Sequence, residues 1–197
     1  MSNFKETKTA LNLMKAFAGE SQARMRYTYY AKVANKQGYH QIANIFIETA
    51  DNEKEHAKLF YKKLLEHGMN EEVIILNDAG YPVALSEDTM KNLSYAAAGE
   101  KEEWSDLYPH FAATAEQEGY PDVATVFKLI AKVEEKHEKR YSKLLQNIKD
   151  NTVFNKNEKV AWKCLNCGFV TENNAAPDEC PACKHAKAYF ELLAENY

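Results

Sequence analysis

The sequence predicts an all-α four-helix bundle, with a long crossover between helices two and three, followed by a small C-terminal metal-ribbon domain. Three observations carry this. Long segments show helical hydrophobic periodicity and break only at Gly38–Tyr39 and Gly119–Tyr120–Pro121. The two halves of the helical region repeat each other. All four cysteines, Cys164, Cys167, Cys180 and Cys183, fall in one short C-terminal region.

Residues 4–66 read as two long helices and residues 90–149 as two more. Glycine ends the first helix of each pair, and Pro121 suits the opening turn of the fourth. Between the pairs, residues 68–89 contain Gly68, Asn77–Asp78, Gly80 and Pro82. That stretch is too long for a tight turn and suits a crossover running the length of a bundle. The expected division is a bundle over 1–150, a polar linker over 151–157 and the small domain over 158–197. The small domain is too short to be stable on an apolar core alone, so a metal there is structural as well as functional.

Offset by 81, residues 27–65 match residues 108–146 at 13 of 39 positions, among them Tyr27/Tyr108, Gly38/Gly119, Glu53/Glu134 and His56/His137. Upstream, Ala18–Gly19–Glu20 matches Ala98–Gly99–Glu100 at an offset of 80. The second half therefore carries one extra residue between Glu100 and Tyr108. One residue added inside a continuing helix is what a π-bulge requires, and a bulge is expected near Glu103, with Pro109 as a second local disturbance.

A net charge of −4 argues against a role driven by attraction to phosphate, so no nucleic-acid partner is expected. No stretch approaches the roughly 20 apolar residues of a membrane span, and Met1–Glu6 has no apolar secretory core. The expected compartment is the cytoplasm.

The chemistry lies where a core should be. The second helix carries an apolar stripe through Ile42, Ile45, Phe46, Thr49, Phe60 and Leu64, and Glu53 and His56 fall inside it. The fourth does the same with Glu134 and His137 between Ile130 and Tyr141. Ala16, Glu20, Ala23, Tyr27 and Tyr30 share a face of the first helix, and Glu100 and Glu103 lie one turn apart on the third. One Glu-x-x-His is a weak signal, but two at equivalent places in a repeat are not. Five buried carboxylates need compensating positive charge, and apart from Arg24 few basic residues fall on these faces. Two metal ions supply it: two ferrous ions bring +4 against −5, and two ferric ions +6. The donor set matches di-iron carboxylate bundles, although ligand type alone also admits zinc or manganese. Glu103 is the excess ligand and would compete with His56 for one metal. Tyr27 and Tyr108 are placed to donate hydrogen bonds or protons near the metals, with ordinary core packing as the competing role for each. His40, His67, His110 and His185 read as surface or packing residues.

Cys164-Leu-Asn-Cys167-Gly168 and Cys180-Pro181-Ala-Cys183 form two C-x-x-C knuckles that supply four thiolates to a tetrahedral ion. Gly168 lets the backbone turn so that amide N–H groups face sulfur. Trp162, Phe169, Tyr189 and Phe190 are the expected aromatic core. Zinc and iron suit this geometry equally.

Taken together, Gly19-Glu20, Glu53-Lys-Glu-His56, Gly99-Glu100-Lys-Glu-Glu103, Glu134-Glu-Lys-His137 and the paired cysteine knuckles resemble the rubrerythrin family over essentially the whole chain. The resemblance implies a ferritin-like di-iron bundle followed by a rubredoxin-like Fe(Cys)4 domain. It implies iron ligands at Glu20, Glu53, Glu100, Glu103, Glu134 and His137, with His56 binding in the reduced form. It further implies a non-haem peroxidase that reduces hydrogen peroxide to water in defence against oxidative stress. Its electrons would come one at a time through the Fe(Cys)4 centre from an external NAD(P)H-dependent donor, rubredoxin or its reductase. A homodimer is implied, with the rubredoxin-like module of one subunit near the di-iron site of the other. An iron-oxidising, iron-handling role explains the bundle equally well but leaves the cysteine module without a task.

Overall fold

The computed structural model describes residues 3–69 and 80–196. Helices α1 (Lys8–Lys36) and α2 (His40–Glu66) form the first pair. The second pair is α3 (Thr89–Glu102), which continues through a π-helical turn (Glu103–Leu107) into α4 (Tyr108–Gln117), and then α5 (Pro121–Lys149). Strands β1 (Asn155–Cys164), β2 (Val170–Ala175) and β3 (Phe190–Leu192) make an antiparallel sheet in the order β2-β1-β3. No helix among the described residues is long and apolar enough to cross a membrane.

The breaks fall where glycine permits them. Gly38 and Gly119 adopt φ of 79° and 88°, a region costly for any side chain. The following amides reach back over the helix end, Tyr39 N to Ala34 O at 2.9 Å and Tyr120 N to Ala115 O at 2.8 Å. This is the Schellman closure, which satisfies carbonyls the helix leaves unpaired. At the other end of α1, the Thr7 hydroxyl accepts from Ala10 N. Glu118, from the turn before α5, accepts from Lys8 N, Thr9 N and the Thr9 hydroxyl.

The π turn spans Glu103–Leu107 and absorbs the one residue by which the second half exceeds the first. Pro109 sits in the opening turn of α4, where its missing N–H costs little. The crossover expected over 68–89 lies partly outside the described residues. Its described end, residues 80–88, is non-helical and runs along α1: the Tyr81 hydroxyl donates to Lys15 O, Gln22 to Pro82 O, the Tyr30 hydroxyl to Ala84 O and Gln37 to Glu87 O.

Two apolar clusters fill the bundle, one around Leu13, Phe60, Tyr108 and Phe127, the other around Tyr27, Tyr30, Phe46, Leu93 and Tyr141. The acidic and histidine side chains lie between them. A third cluster, Trp162, Cys164, Ala176, Cys180 and Phe190, is the core of the small domain, with Phe169 and Tyr189 packed against it. β1 opens at Asn155, inside the stretch 151–157 expected to be linker, because Asn155 already pairs with Ala175. The small domain rests on the α1–α2 turn, where Phe154 stacks on Tyr39 at 6.3 Å and Tyr189 meets His40 edge-on at 4.4 Å.

Candidate metal centres

The carboxylates and histidines predicted on the apolar stripes are buried, apart from Glu103. Glu20, Glu53, Glu100 and Glu134 are at most 1% exposed, His56 7% and His137 4%. They converge as two sets of four donors, Glu20, Glu53, His56, Glu134 and Glu53, Glu100, Glu134, His137, each set within 4.8 Å. Glu53 and Glu134 belong to both and lend one oxygen to each. His56 Nδ1 lies 2.8 Å from Glu53 Oε2, 2.9 Å from Glu134 Oε1 and 4.0 Å from Glu20 Oε1. His137 Nδ1 lies 2.8 Å from Glu134 Oε2, 3.3 Å from Glu53 Oε1 and 3.6 Å from Glu100 Oε2.

These contacts are close without being hydrogen bonds of acceptable geometry. Both Glu53 oxygens, both Glu134 oxygens, one oxygen each of Glu20 and Glu100, and both Nδ1 atoms find no hydrogen-bond partner among the described residues. So many orphaned buried polar atoms would be very costly in a finished core. Their lone pairs converge instead on two shared points, and the donor set would fit two cations, with Glu53 and Glu134 common to both sets.

The electrostatics of the cage without ions agree. Burial opposes charge on His137 and His56, but the carboxylates outweigh it. Glu100, Glu134 and Glu53 hold His137 up to about 12, and Glu134 and Glu53 hold His56 up to about 10. Burial and then the Glu53 charge push Glu100 up to about 8, and burial and then Glu103 push Glu20 well up. Burial also works to raise Glu134, but the two histidines pull it below the usual carboxylate range. Protons thus occupy the place of metal charge, and metal uptake must displace them.

Glu103 belongs to neither set. It is only half-buried and lines a cavity of about 310 Å³ beside the cage, with Tyr108, Gly19, Gly99 and Arg26. Tyr27 and Tyr108 are both at the cage. The Tyr27 hydroxyl donates to Glu100 Oε1 at 2.5 Å, and the Tyr108 hydroxyl to Glu20 Oε1. Burial, then the nearby carboxylate charges, raises both phenols well above their usual range.

Arg24, the basic residue expected on these faces, points away instead. Its Nη1 pairs with Asp51 at 2.9 Å, and its side chain is 36% exposed. The buried cation beside the cage is Arg26, which the sequence reading missed. Arg26 follows Ala23 by three residues and precedes Tyr30 by four, a spacing that marks the same face. His40, His67 and His185 pack against aromatic rings, as expected.

In the small domain the four thiols lie within 4.8 Å of one another and none is in a disulfide. Sγ–Sγ separations are 3.8 Å for Cys164–Cys183 and 3.7 Å for Cys167–Cys180. Ligands about 2.3 Å from a tetrahedral centre stand about 3.8 Å apart, so the cluster is already sized for one ion. The backbone turns at Gly168, φ 77°, and at Lys184, φ 62°. The His185 amide faces Cys183, drawing its thiol down to about 6. The Phe169 amide pulls on Cys167 in the same way, but neighbouring sulfurs push that thiol up to about 12.

A helical bundle that buries two bridged carboxylate–histidine donor sets is the ferritin-like dinuclear class. Similarity to known proteins narrows this class. Residues 12–145 match the rubrerythrin family model, and residues 162–191 match that of the rubrerythrin rubredoxin-like domain. Rubrerythrin-1 of Clostridium acetobutylicum is 59% identical over 197 residues, covering 100% of both chains. The solved structure of fully reduced, all-ferrous nigerythrin matches with a TM-score of 0.63 at 31% identity, over 98% of this chain and 94% of that one. The bacterioferritin of Desulfovibrio desulfuricans, at 21% identity, shares the bundle fold with a TM-score of 0.64 over 74% of this chain and 82% of its own. The chain belongs to the rubrerythrin family. Its carboxylate–histidine cage is a di-iron site, and its four-cysteine cluster is a rubredoxin-like iron site.

Proposed function

We propose that the chain is an oxidoreductase that reduces hydrogen peroxide to water at the bundle site, with electrons relayed through the four-cysteine site. The observation that carries this reading is the presence of both centres on one chain: a caged donor set for two irons and a ready-sized cluster of four thiols. An iron store needs only the first. The irons would supply the two electrons that peroxide reduction consumes.

The side chains have distinct tasks. Glu20, Glu53, His56, Glu100, Glu134 and His137 would hold the two irons, and Cys164, Cys167, Cys180 and Cys183 the third. Four caged carboxylates neutralise two ferrous ions, so Glu103 is superfluous in that state. Two ferric ions would carry two more positive charges, and in that state Glu103 would hold one iron in place of His56. Tyr27 and Tyr108 orient Glu100 and Glu20 through their hydroxyls and keep a proton available at the cage wall.

The relay favours a second copy of the chain. The small domain rests at His40, and Glu53 lies 13 residues further along α2, about 20 Å at about 1.5 Å per residue. In a homodimer the partner's module would reach the cage more closely. The ultimate donor would be an NAD(P)H-linked reductase, and the site of action the cytoplasm.

The test is stopped-flow mixing of the anaerobically reduced protein with stoichiometric peroxide or oxygen, following the red absorbance of the cysteine-bound iron. Fast return of colour with peroxide and much slower return with oxygen supports the reading. Return no faster with peroxide discards it in favour of iron oxidation.

A further inference from the structure

Arg26 is a buried cation that the cage itself does not use. It is 8% exposed, and its Nε donates to Gln22 Oε1 at 3.0 Å. The guanidinium lies 5.7 Å from the centre of the Tyr27 ring. Its Nη2 stands 4.0 Å from where a Cβ on Gly99 would be. Glu103 is four residues beyond Gly99, one helical turn along the same rod, and Arg26, Gly99 and Glu103 line one cavity. An arginine of α1 thus lies against the rod at the step before the π turn, within ordinary contact distance of position 99.

The charges explain why it is there. Arg26 brings a buried positive charge to the wall of the cavity that Glu103 also lines. A carboxylate between a cage of like charge and a buried guanidinium has two resting places. In this structure it takes the one in the cavity, and His56 stands in the donor set.

We propose that Arg26 is a positioning residue for Glu103: it stabilises the carboxylate in the cavity, outside the cage, and so sets how readily Glu103 replaces His56 when the irons are oxidised. The inference rests on the Glu103–His56 exchange proposed above. Arg26 is not required to touch peroxide or iron. Removing it frees Glu103 to enter the cage, where an added anionic ligand favours the ferric state.

The experiment is a redox titration of the bundle irons in the iron-loaded full chain, for wild type, Arg26→Gln, Glu103→Ala and the double variant. The expected result is a fall in midpoint potential for Arg26→Gln. This corresponds to about a tenfold change in the equilibrium between the two positions of Glu103, the size of a charge–charge interaction near a protein surface. The shift should vanish in the Glu103→Ala background. An equal shift in both backgrounds means that Arg26 acts only through its charge, and no shift means that it does not act; either overturns the proposal. If Glu103→Ala alone leaves the potential unchanged, the exchange itself fails and takes this inference with it. Should Arg26→Gln not fold, Arg26→Lys is read by the same rule. Peroxide turnover does not enter the readout, so failure of the peroxidase reading is seen separately.

Discussion

The Tyr27 hydroxyl donates a 2.5 Å hydrogen bond to Glu100 Oε1, so a side chain of α1 anchors a carboxylate of α3. Its repeat-mate does the reverse: Tyr108, at the head of α4, donates to Glu20 on α1. Tyr27 lies seven residues after Glu20, whereas Tyr108 lies eight after Glu100. The π turn takes up the difference, and the crossed pairing survives the insertion.

Those two bonds fix Glu100 and Glu20 at the cage wall without any metal. Tyr27→Phe and Tyr108→Phe should each destabilise the metal-free chain by about 1–3 kcal/mol, because each leaves a buried carboxyl oxygen without its hydrogen-bond partner. Urea denaturation of the metal-free variants measures this. A loss under about 0.3 kcal/mol for both, far below the cost of an unsatisfied buried acceptor, would show that the hydroxyls are packing partners only.

Two glycines should respond in opposite directions to alanine. Among the described residues a Cβ on Gly19 meets only Tyr81 Cε1, at 3.8 Å, an ordinary contact inside a regular helix. Gly19→Ala should therefore stabilise by about 0.5–1 kcal/mol. Gly38 has φ of 79°, and Gly38→Ala should cost about 1 kcal/mol or more through backbone strain. Thermal melts of the two variants should move to either side of wild type.

Glu118 gives a pH-dependent contribution of known sign. Burial alone would raise its pKa, but the Thr9 hydroxyl and the amides of Thr9 and Lys8 hold it below the unfolded value of 4.5. A depressed folded pKa stabilises above the unfolded value and is lost as pH falls through the folded one. Glu118→Gln should cost at most about 1 kcal/mol at about pH 7, given solvent screening. The gap from wild type should close progressively below about pH 4.5. Paired denaturation curves from neutral pH down to about pH 3 test this, and a gap that widens on acidification would reject it.

Metal removal should separate the two domains. The small domain buries few large side chains apart from Trp162 and Phe190, whereas the bundle has two extensive clusters. Stripping the ion from Cys164, Cys167, Cys180 and Cys183 should unfold residues 155–196 and leave the helices intact. Limited proteolysis would then trim the chain back to near Lys149 while helical circular dichroism persists. Retention of an intact C-terminal sheet would show that the ion is not structural.

The bundle, its breaks, the π turn and the acidic interior were legible in the sequence because each is written in a local period. Helical spacing sorts Glu53, His56, Glu134 and His137 into apolar stripes, and an offset that steps from 80 to 81 betrays the inserted residue. Arg26 carries the same period through Ala23 and Tyr30, but period alone does not separate it from Arg24, which the structure turns to Asp51.

The sequence by itself determined that the acidic and histidine side chains enter the core and that they and the cysteines suit metal ions, since burial follows from periodicity and ligand character from donor type. Only the tertiary structure decided who meets whom. It set the crossed Tyr27–Glu100 and Tyr108–Glu20 pairs, the sharing of Glu53 and Glu134 between two donor sets, the place of Glu103 in the cavity, and the seat of the small domain on the α1–α2 turn. These depend on how one helix is rotated and shifted against another. That choice is made by packing across the bundle, and no single segment of the chain encodes it.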